Sequence, residues 1–395
     1  MDSNTMDSKN LLCSLFQAYY DARKNKRRTI NALAFEIDFE RKLFELYEEI
    51  KSRKYEISPS ICFISFKPVQ REIFAADFRD RIIHHLIYNY ISPIFEWLFI
   101  NDSYSCRVSR GTSCGIRRLD HFIRSCSDNY KRDCYILKLD IKGYFMAMDR
   151  SILYQKIEKT LNRFREEANF DADLILYLIR QVIFHDPTKN CRIKGTWKDW
   201  QGLPKSKSLF WAGENKGLPI GNLTSQLFGN VYLNDFDHFI KHKLGCQYYG
   251  RYVDDLVIVH QDKEYLKSIV PILKKYLRDE LLLEVHPKKV YLQHFSKGAP
   301  FLGTIIKPYR IYVRNQTKGN FYKKISYWND FLEKERRLTK EALNKFLASV
   351  NSYLGIMVNY STYKLRRKML TESLSPRFGE YVYIADDYAK LVSKN

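Results

Sequence analysis

The sequence predicts an α+β fold in which a split βαβ sheet of antiparallel strands lies over helices. Three observations predict it. Short runs rich in Val, Ile, Leu and Tyr alternate with longer stretches of helical apolar spacing, carboxylates stand at the ends of two of those runs, and the last part of the chain is helical and basic.

The most informative run is Tyr248-Tyr249-Gly250-Arg251-Tyr252-Val253-Asp254-Asp255-Leu256-Val257-Ile258-Val259. Adjacent carboxylates between strand-forming residues do not serve packing, because Asp is poor in strands and like charges repel. At ~4 Å the repulsion is roughly 1 kcal/mol in water and about 4 near a protein surface. A hard divalent metal is the natural counter-charge, and the metal-binding hairpin of a nucleic-acid polymerase is the working expectation.

Composition agrees with a polyanion partner. The chain of 395 residues is 45% hydrophobic and 28% charged, as a folded protein should be, and 66 Lys and Arg against 45 Asp and Glu leave a net charge of +21. Such an excess favours nucleic acid. No stretch approaches the ~20 uninterrupted apolar residues of a membrane helix, and Met1-Asp2-Ser3-Asn4 opens no signal pattern, so a cytoplasmic location is expected. The eight cysteines form no C-x-x-C pair, so zinc is not expected.

In chain order, a polar leader precedes a helix over 35–50 with Phe39, Leu43, Leu46, Tyr47 and Ile50 on one face. The basic residues before it (Arg23, Lys24, Lys26, Arg27, Arg28) suit either nucleic acid or a solvated surface. Residues 66–81 read as a strand-like segment leading into a helix that ends near Pro93. Within that segment Lys67 and Arg71 lie four apart on extended chain and face one surface, suited to a triphosphate or to a salt-bridged face. Ser105 to Ser113 is a basic turn opening a helix, in which Arg107 and Arg110 suit a phosphate backbone or flank an ordinary cap.

Tyr135 to Asp140 reads as a buried strand ending in a carboxylate that needs a cation or a solvated cleft. Asp149 caps the next helix, and another runs from Leu174 to Phe184. Periodicity then disappears from His185 to Lys216, a loop or hairpin with Trp197, Trp200 and Trp211 exposed or folded back. Gly217-Leu218-Pro219-Ile220-Gly221 turns into a helix, and Gly217 and Gly221 either permit close approach of a base or sugar or form an ordinary turn and cap. After the hairpin come a helix over 264–282, strands at 283–286, 290–295 and 301–306, and a small basic helical part whose Arg366, Arg367 and Lys368 could line a duplex groove.

Asp140, Asp254 and Asp255 are the carboxylates placed at strand ends in an otherwise apolar sheet. With the Ile141 carbonyl and nucleotide phosphates they could hold two Mg²⁺ ions, or Mn²⁺ in their place. Chemistry of that kind is positioning plus charge stabilisation and needs no nucleophilic side chain.

The basic segment at 66–81, Asp140 with Phe145 five residues on, Gly217-Leu218-Pro219-Ile220-Gly221, Tyr252-Val253-Asp254-Asp255, Pro287-Lys288-Lys289 and Phe301-Leu302-Gly303 together resemble reverse transcriptases across roughly the whole chain. Leu218 to Gln226, with Ser352-Tyr353-Leu354-Gly355 and Tyr363-Lys364-Leu365-Arg366, resembles the enzymes of diversity-generating retroelements. The resemblance implies a right-hand polymerase fold: an N-terminal extension and fingers over 1–134, a palm over 135–310 to which 150–222 adds fingers and a loop insertion, and a helical thumb over 311–395. It implies RNA-directed DNA polymerase activity, template RNA, cDNA and dNTPs as partners, and a basic helical accessory oligomer. It further makes Asp140, Asp254 and Asp255 metal ligands, Lys67 and Arg71 triphosphate contacts, Phe145 a steric gate against a ribose 2′-hydroxyl, Lys289 a general acid toward pyrophosphate, and Phe301-Leu302-Gly303 the grip on the primer end.

One departure stands out, since most reverse transcriptases carry Gln where this chain has Ile220. Gln can hydrogen-bond near the nucleotide, whereas Ile offers only shape, so discrimination should weaken. The resemblance accordingly implies error-prone copying of a template-repeat RNA, with errors at adenines. A retron or group II intron enzyme is the nearest rival, but no Asn-Ala-x-x-His or Val-Thr-Gly of the retron type occurs. A polymerase-like protein that only binds RNA is the rival from another class, and the intact carboxylates argue against it.

Overall fold

The computed structural model describes residues 3–24, 26, 27, 29–66 and 69–394, with side chains from residue 11 onward. Lys67 and Arg28 therefore lie outside the described residues. The chain divides into two compact units: 1–114 with 137–258 and 263–291, and 115–136 with 259–262 and 292–395. The expected fingers and palm segments thus fall largely within one unit.

Three helices open the first unit, α1 (Ser3–Arg23), α2 (Ile30–Glu36) and α3 (Phe39–Lys51). The first stands where a polar leader was expected. Leu11, Leu15, Ala18 and Ala22 recur at helical spacing and are buried, which is enough to seat α1 against its neighbours despite a polar composition. The helix expected over 35–50 is interrupted because Asp38 takes a left-handed φ of 64° ahead of α3.

Next come β1 (Ser60–Ser65), β2 (Arg71–Ala75) and α4 (Phe78–Leu98). Asp77 caps α4 by accepting from the Arg79 amide. The helix does not end near Pro93 but runs through it. Its buried face continues from Ile91 to Phe95, and that burial offsets the hydrogen bond the proline removes.

Following are α5 (Thr112–Cys126), β3 (Tyr135–Asp140), the short α6 (Tyr144–Ala147), α7 (Arg150–Arg163) and α8 (Ala172–Phe184). Asp149 caps α7 as the sequence predicts, accepting from the amides of Ser151 and Ile152. The stretch 185–216 is more ordered than its lost periodicity implied. It contributes β4 (Cys191–Ile193), which pairs parallel to β1 and completes a sheet of order β2-β1-β4, followed by three short 3₁₀ turns.

The remaining central elements are α9 (Leu223–His238), β5 (Tyr248–Tyr252), β6 (Asp255–His260), α10 (Lys263–Leu281) and β7 (Tyr291–His294). Strands β5, β6, β3 and β7 form one sheet in the order β5-β6-β3-β7. The strand expected at 283–286 is only a bridge, Ile141 to Val285.

In the second unit, β8 (Ala299–Phe301), β9 (Thr304–Lys307) and β10 (Arg310–Val313) form an antiparallel meander in place of the single strand expected over 301–306. Its first turn holds Leu302 and Gly303 at φ 45° and 84°, the geometry of a two-residue hairpin. Then α11 (Asn315–Glu335), α12 (Lys340–Met357) and α13 (Tyr363–Lys368) pack around Phe321, Trp328, Phe346 and Leu354. The expected all-helical end also carries a hairpin, β11 (Val382–Ala385) and β12 (Lys390–Ser393), tied to α12 because Asn351 both donates to and accepts from the Leu391 backbone.

Candidate active site

Strand β3 delivers Asp140 at its C-terminal end, and the turn between β5 and β6 delivers Asp254 and Asp255. Backbone contacts bring these ends together. The Ile141 amide donates to the Asp254 carbonyl at 3.4 Å, and the His286 amide donates to the Asp140 carbonyl at 2.7 Å. Val253 sits in the left-handed region at φ 56°, a conformation that costs a β-branched residue roughly 1–3 kcal/mol and persists only when its surroundings hold it.

The surroundings are a buried polar network that sequence reading missed. Arg251 and Asp237 are both fully buried and paired, with Arg251 Nη2 2.6 Å from Asp237 Oδ2. Arg251 Nη1 also donates to the Val253 carbonyl at 3.0 Å and to Asn230 Oδ1 at 3.2 Å, while the Tyr249 hydroxyl donates to Asp237. Both α9 residues, Asn230 and Asp237, face the hairpin seven positions apart, two helical turns. The available signal was Arg251 itself, a lone guanidinium in a strand-forming run that requires a carboxylate partner.

Two of the three carboxylates pair with lysines. Lys289 Nζ donates to Asp140 Oδ2 at 2.8 Å, and Lys138 Nζ lies 3.1 Å from Asp255 Oδ1. Lys138 stands two residues before Asp140 on β3, so strand alternation puts both on one face, a spacing that reveals it in the sequence. Burial, and then the Asp140 charge, push the Asp254 carboxyl up to about 6. Burial raises Asp255 as well, with Lys138 pulling the other way. Among the described residues no group of three or more His, Cys, Asp or Glu side chains is drawn together closely enough to hold a metal ion as it stands. The donor chemistry nevertheless fits hard divalent cations, because crowded, partly desolvated carboxylates gain most from added positive charge.

Phe145 on α6, five residues after Asp140, and Ile220 in the Gly217–Gly221 turn pack against one small core of Cys62, Phe74, Met146 and Leu209. The Phe74 amide donates to the Ile220 carbonyl and the Leu218 amide to the Phe145 carbonyl, at 2.9 and 2.8 Å. Gly221 has φ 129°, and a Cβ there would come 2.9 Å from Ile73 Cγ2, so glycine is required. Arg71 lies exposed on β2, alternating with buried Glu72.

Other expected contacts fall elsewhere. Arg107, expected at a phosphate, is turned inward, donating to Glu96 at 2.8 Å and to the carbonyls of Ile100 and Ser103. Arg110 stays partly exposed beside Asn101. In the second unit Phe301 is buried, leaving Leu302 and Gly303 at the turn tip. Arg366, expected in a groove, is also buried and donates to the Asp387 carbonyl at 2.9 Å, whereas Arg367 and Lys368 are exposed. In both corrected cases the guanidinium had an internal carbonyl or carboxylate within reach, which charge counting does not reveal.

Residues 69–306 match the family model described as Reverse transcriptase (RNA-dependent DNA polymerase). Protein YkfC of Escherichia coli (strain K12) is 23% identical, over 57% of this chain and 60% of that one. Among solved structures, apo telomerase from Candida tropicalis aligns at 12% identity with a TM-score of 0.48, covering 80% of this chain and 59% of that one. Its form truncated from the C-terminal domain aligns at 14% identity and 0.46, covering 67% and 58%. The chain spans about 60% of the length of the curated relative it matches.

Proposed function

The chain belongs to the reverse transcriptase family, and from that premise we propose that it is an RNA-directed DNA polymerase extending a primer on template RNA by two-metal nucleotidyl transfer. The observation that carries the reading is the grouping of Asp140, Asp254 and Asp255 with Lys138 and Lys289 at the ends of neighbouring strands. Asp140, Asp254, Asp255 and the Ile141 carbonyl would hold two Mg²⁺ ions, or Mn²⁺, which when bound would supply the charge neutralisation that phosphoryl transfer needs.

The protein's own residues do the rest. Lys289 holds a proton beside Asp140, suited to the departing pyrophosphate. Arg71, exposed on β2, binds the triphosphate together with Lys67. Phe145 excludes a 2′-hydroxyl, and Gly221 lets the nucleotide approach the backbone. Arg110, Arg367 and the Leu302–Gly303 turn contact template and primer.

The finer reading is the reverse transcriptase of a diversity-generating retroelement, acting in the cytoplasm with a basic helical accessory oligomer and copying a template-repeat RNA with errors at adenines. Ile220 supports it, since an aliphatic side chain beside the nucleotide selects by shape alone. Primer extension on RNA with dNTPs and Mg²⁺ tests the activity; a doubly substituted Asp254→Asn/Asp255→Asn chain as active as the native one would refute it. Sequencing the cDNA tests the class. Ile220→Gln is expected to reduce errors opposite adenine, and an unchanged spectrum removes Ile220 from the account.

A further inference from the structure

Glu72 is a fully buried carboxylate that the chemistry above does not use. It lies on the same face of β2 as Phe74, two residues away. A buried carboxylate must be met by donors, and three meet this one: Trp200 Nε1 at 2.6 Å, Ser208 Oγ at 2.7 Å and the Leu209 amide. Those donors come from two of the short 3₁₀ turns in the stretch 185–216, Trp197–Trp200 and Leu209–Trp211, and from the residue between turns that precedes the second. One side chain therefore ties together two turns nine residues apart within that stretch.

What the segment does follows from where it packs. Leu209 is buried in the small core against which Phe145 and Ile220 rest, with Trp200 and Phe210 alongside. The fit is close: a Cβ on Gly217 would come 2.5 Å from Leu209 Cδ1, and one on Gly143, just before α6, would come 2.6 Å from the Ser206 carbonyl oxygen. On its other side the Phe145 ring lies against α9, where a Cβ on Gly229 would come 3.4 Å from it. Displacing the segment takes Leu209 out of that core and leaves the ring with Phe74, Cys62 and α9 but no backing from 197–211.

We propose that Glu72 is a positioning residue for nucleotide selection, holding residues 197–211 as the wall that fixes Phe145 and Ile220 against the sugar of the incoming nucleotide. The inference rests on the reading of Phe145 as the gate. A gate discriminates by refusing to move, so its selectivity depends on the stiffness of what stands behind it. Loosening the wall admits the ribonucleotide while leaving insertion of the deoxynucleotide, which never presses on the ring, nearly as before.

The test is single-nucleotide insertion on primed RNA with the full chain, comparing kcat/KM for a dNTP and its NTP in native, Glu72→Gln, Phe145→Val and doubly substituted forms. Glu72→Gln loses one acceptor and is expected to lower the dNTP-to-NTP ratio about tenfold, through a lower KM for the NTP and with kcat for the dNTP nearly unchanged. In the Phe145→Val background Glu72→Gln should change the ratio no further, as expected when one residue acts through another. A ratio lowered by Phe145→Val but not by Glu72→Gln overturns the proposal and spares the gate. A ratio unchanged in both removes the gate reading and the proposal with it. Should Glu72→Gln fold poorly, Ser208→Ala and Trp200→Phe each remove one donor and carry the same test, with smaller losses of the ratio expected and equal losses of both activities refuting.

Discussion

Asp254 carries its charge where burial and the neighbouring Asp140 oppose it, and its carboxyl is pushed up to about 6. Because the folded value lies above the unfolded one, ionisation costs stability: the cost is absent well below the unfolded value of 3.8, builds up as pH rises from there to about 6, and is full above that. Asp254→Asn removes it. In EDTA at about pH 8 the Asn variant should unfold at a higher temperature, by the equivalent of about 1–3 kcal/mol after solvent screening, and should approach the native chain at about pH 3. Equal melting temperatures at both pH values would contradict the electrostatic account. The same crowding is why Asp140, Asp254 and Asp255 were legible in the sequence, since charged side chains in apolar strand runs have few physical explanations. Arg107 and Arg366 were misread for the converse reason. Their charge is visible in the sequence, but Glu96 and the Asp387 carbonyl that absorb it become neighbours only through the fold.

At the level of helices and strands, α9 and β5 are joined by the buried Arg251–Asp237 pair. Truncating one partner strands the other charge, so Asp237→Ala should lower stability by about 3–5 kcal/mol in urea unfolding, and Asp237→Asn by less because hydrogen bonds remain. A loss below about 1 kcal/mol would mean that water reaches Arg251. Strand β2 and helices α4, α7, α8 and α10 were legible from periodicity. What escaped depended on context: α1 is polar in composition and becomes a helix of the fold through a thin line of Leu and Ala, and α4 survives Pro93 because its apolar face continues. The stretch 185–216 lacks any period because its order comes from Glu72 and from pairing of β4 with β1, contacts more than a hundred residues apart for Glu72 and its donors.

For the whole molecule, the charge of +21 predicts binding that is strongly salt-dependent. On a primed duplex, filter binding across a NaCl series should show log K falling against log salt with a slope of about −0.9 for each phosphate contact. Arg367→Ala should reduce that slope by roughly 1 if it reaches a phosphate, whereas buried Arg366 should affect stability instead. A flat salt profile would mean that the charge serves solubility alone. The palm-type sheet and its carboxylates could be anticipated; the division into two units could not, because it follows contacts rather than chain order. The hairpin that bears Asp254 adds a dynamic consequence. The Arg251 amide donates to the Asp102 carbonyl and the Tyr104 amide to the Arg251 carbonyl, so the strand is fastened along its backbone as well as by its guanidinium. Protons at those two amides should be among the slowest to exchange with heavy water, released only by cooperative opening of the first unit. The turn is therefore a fixed anvil, the part of the proposed site least free to move.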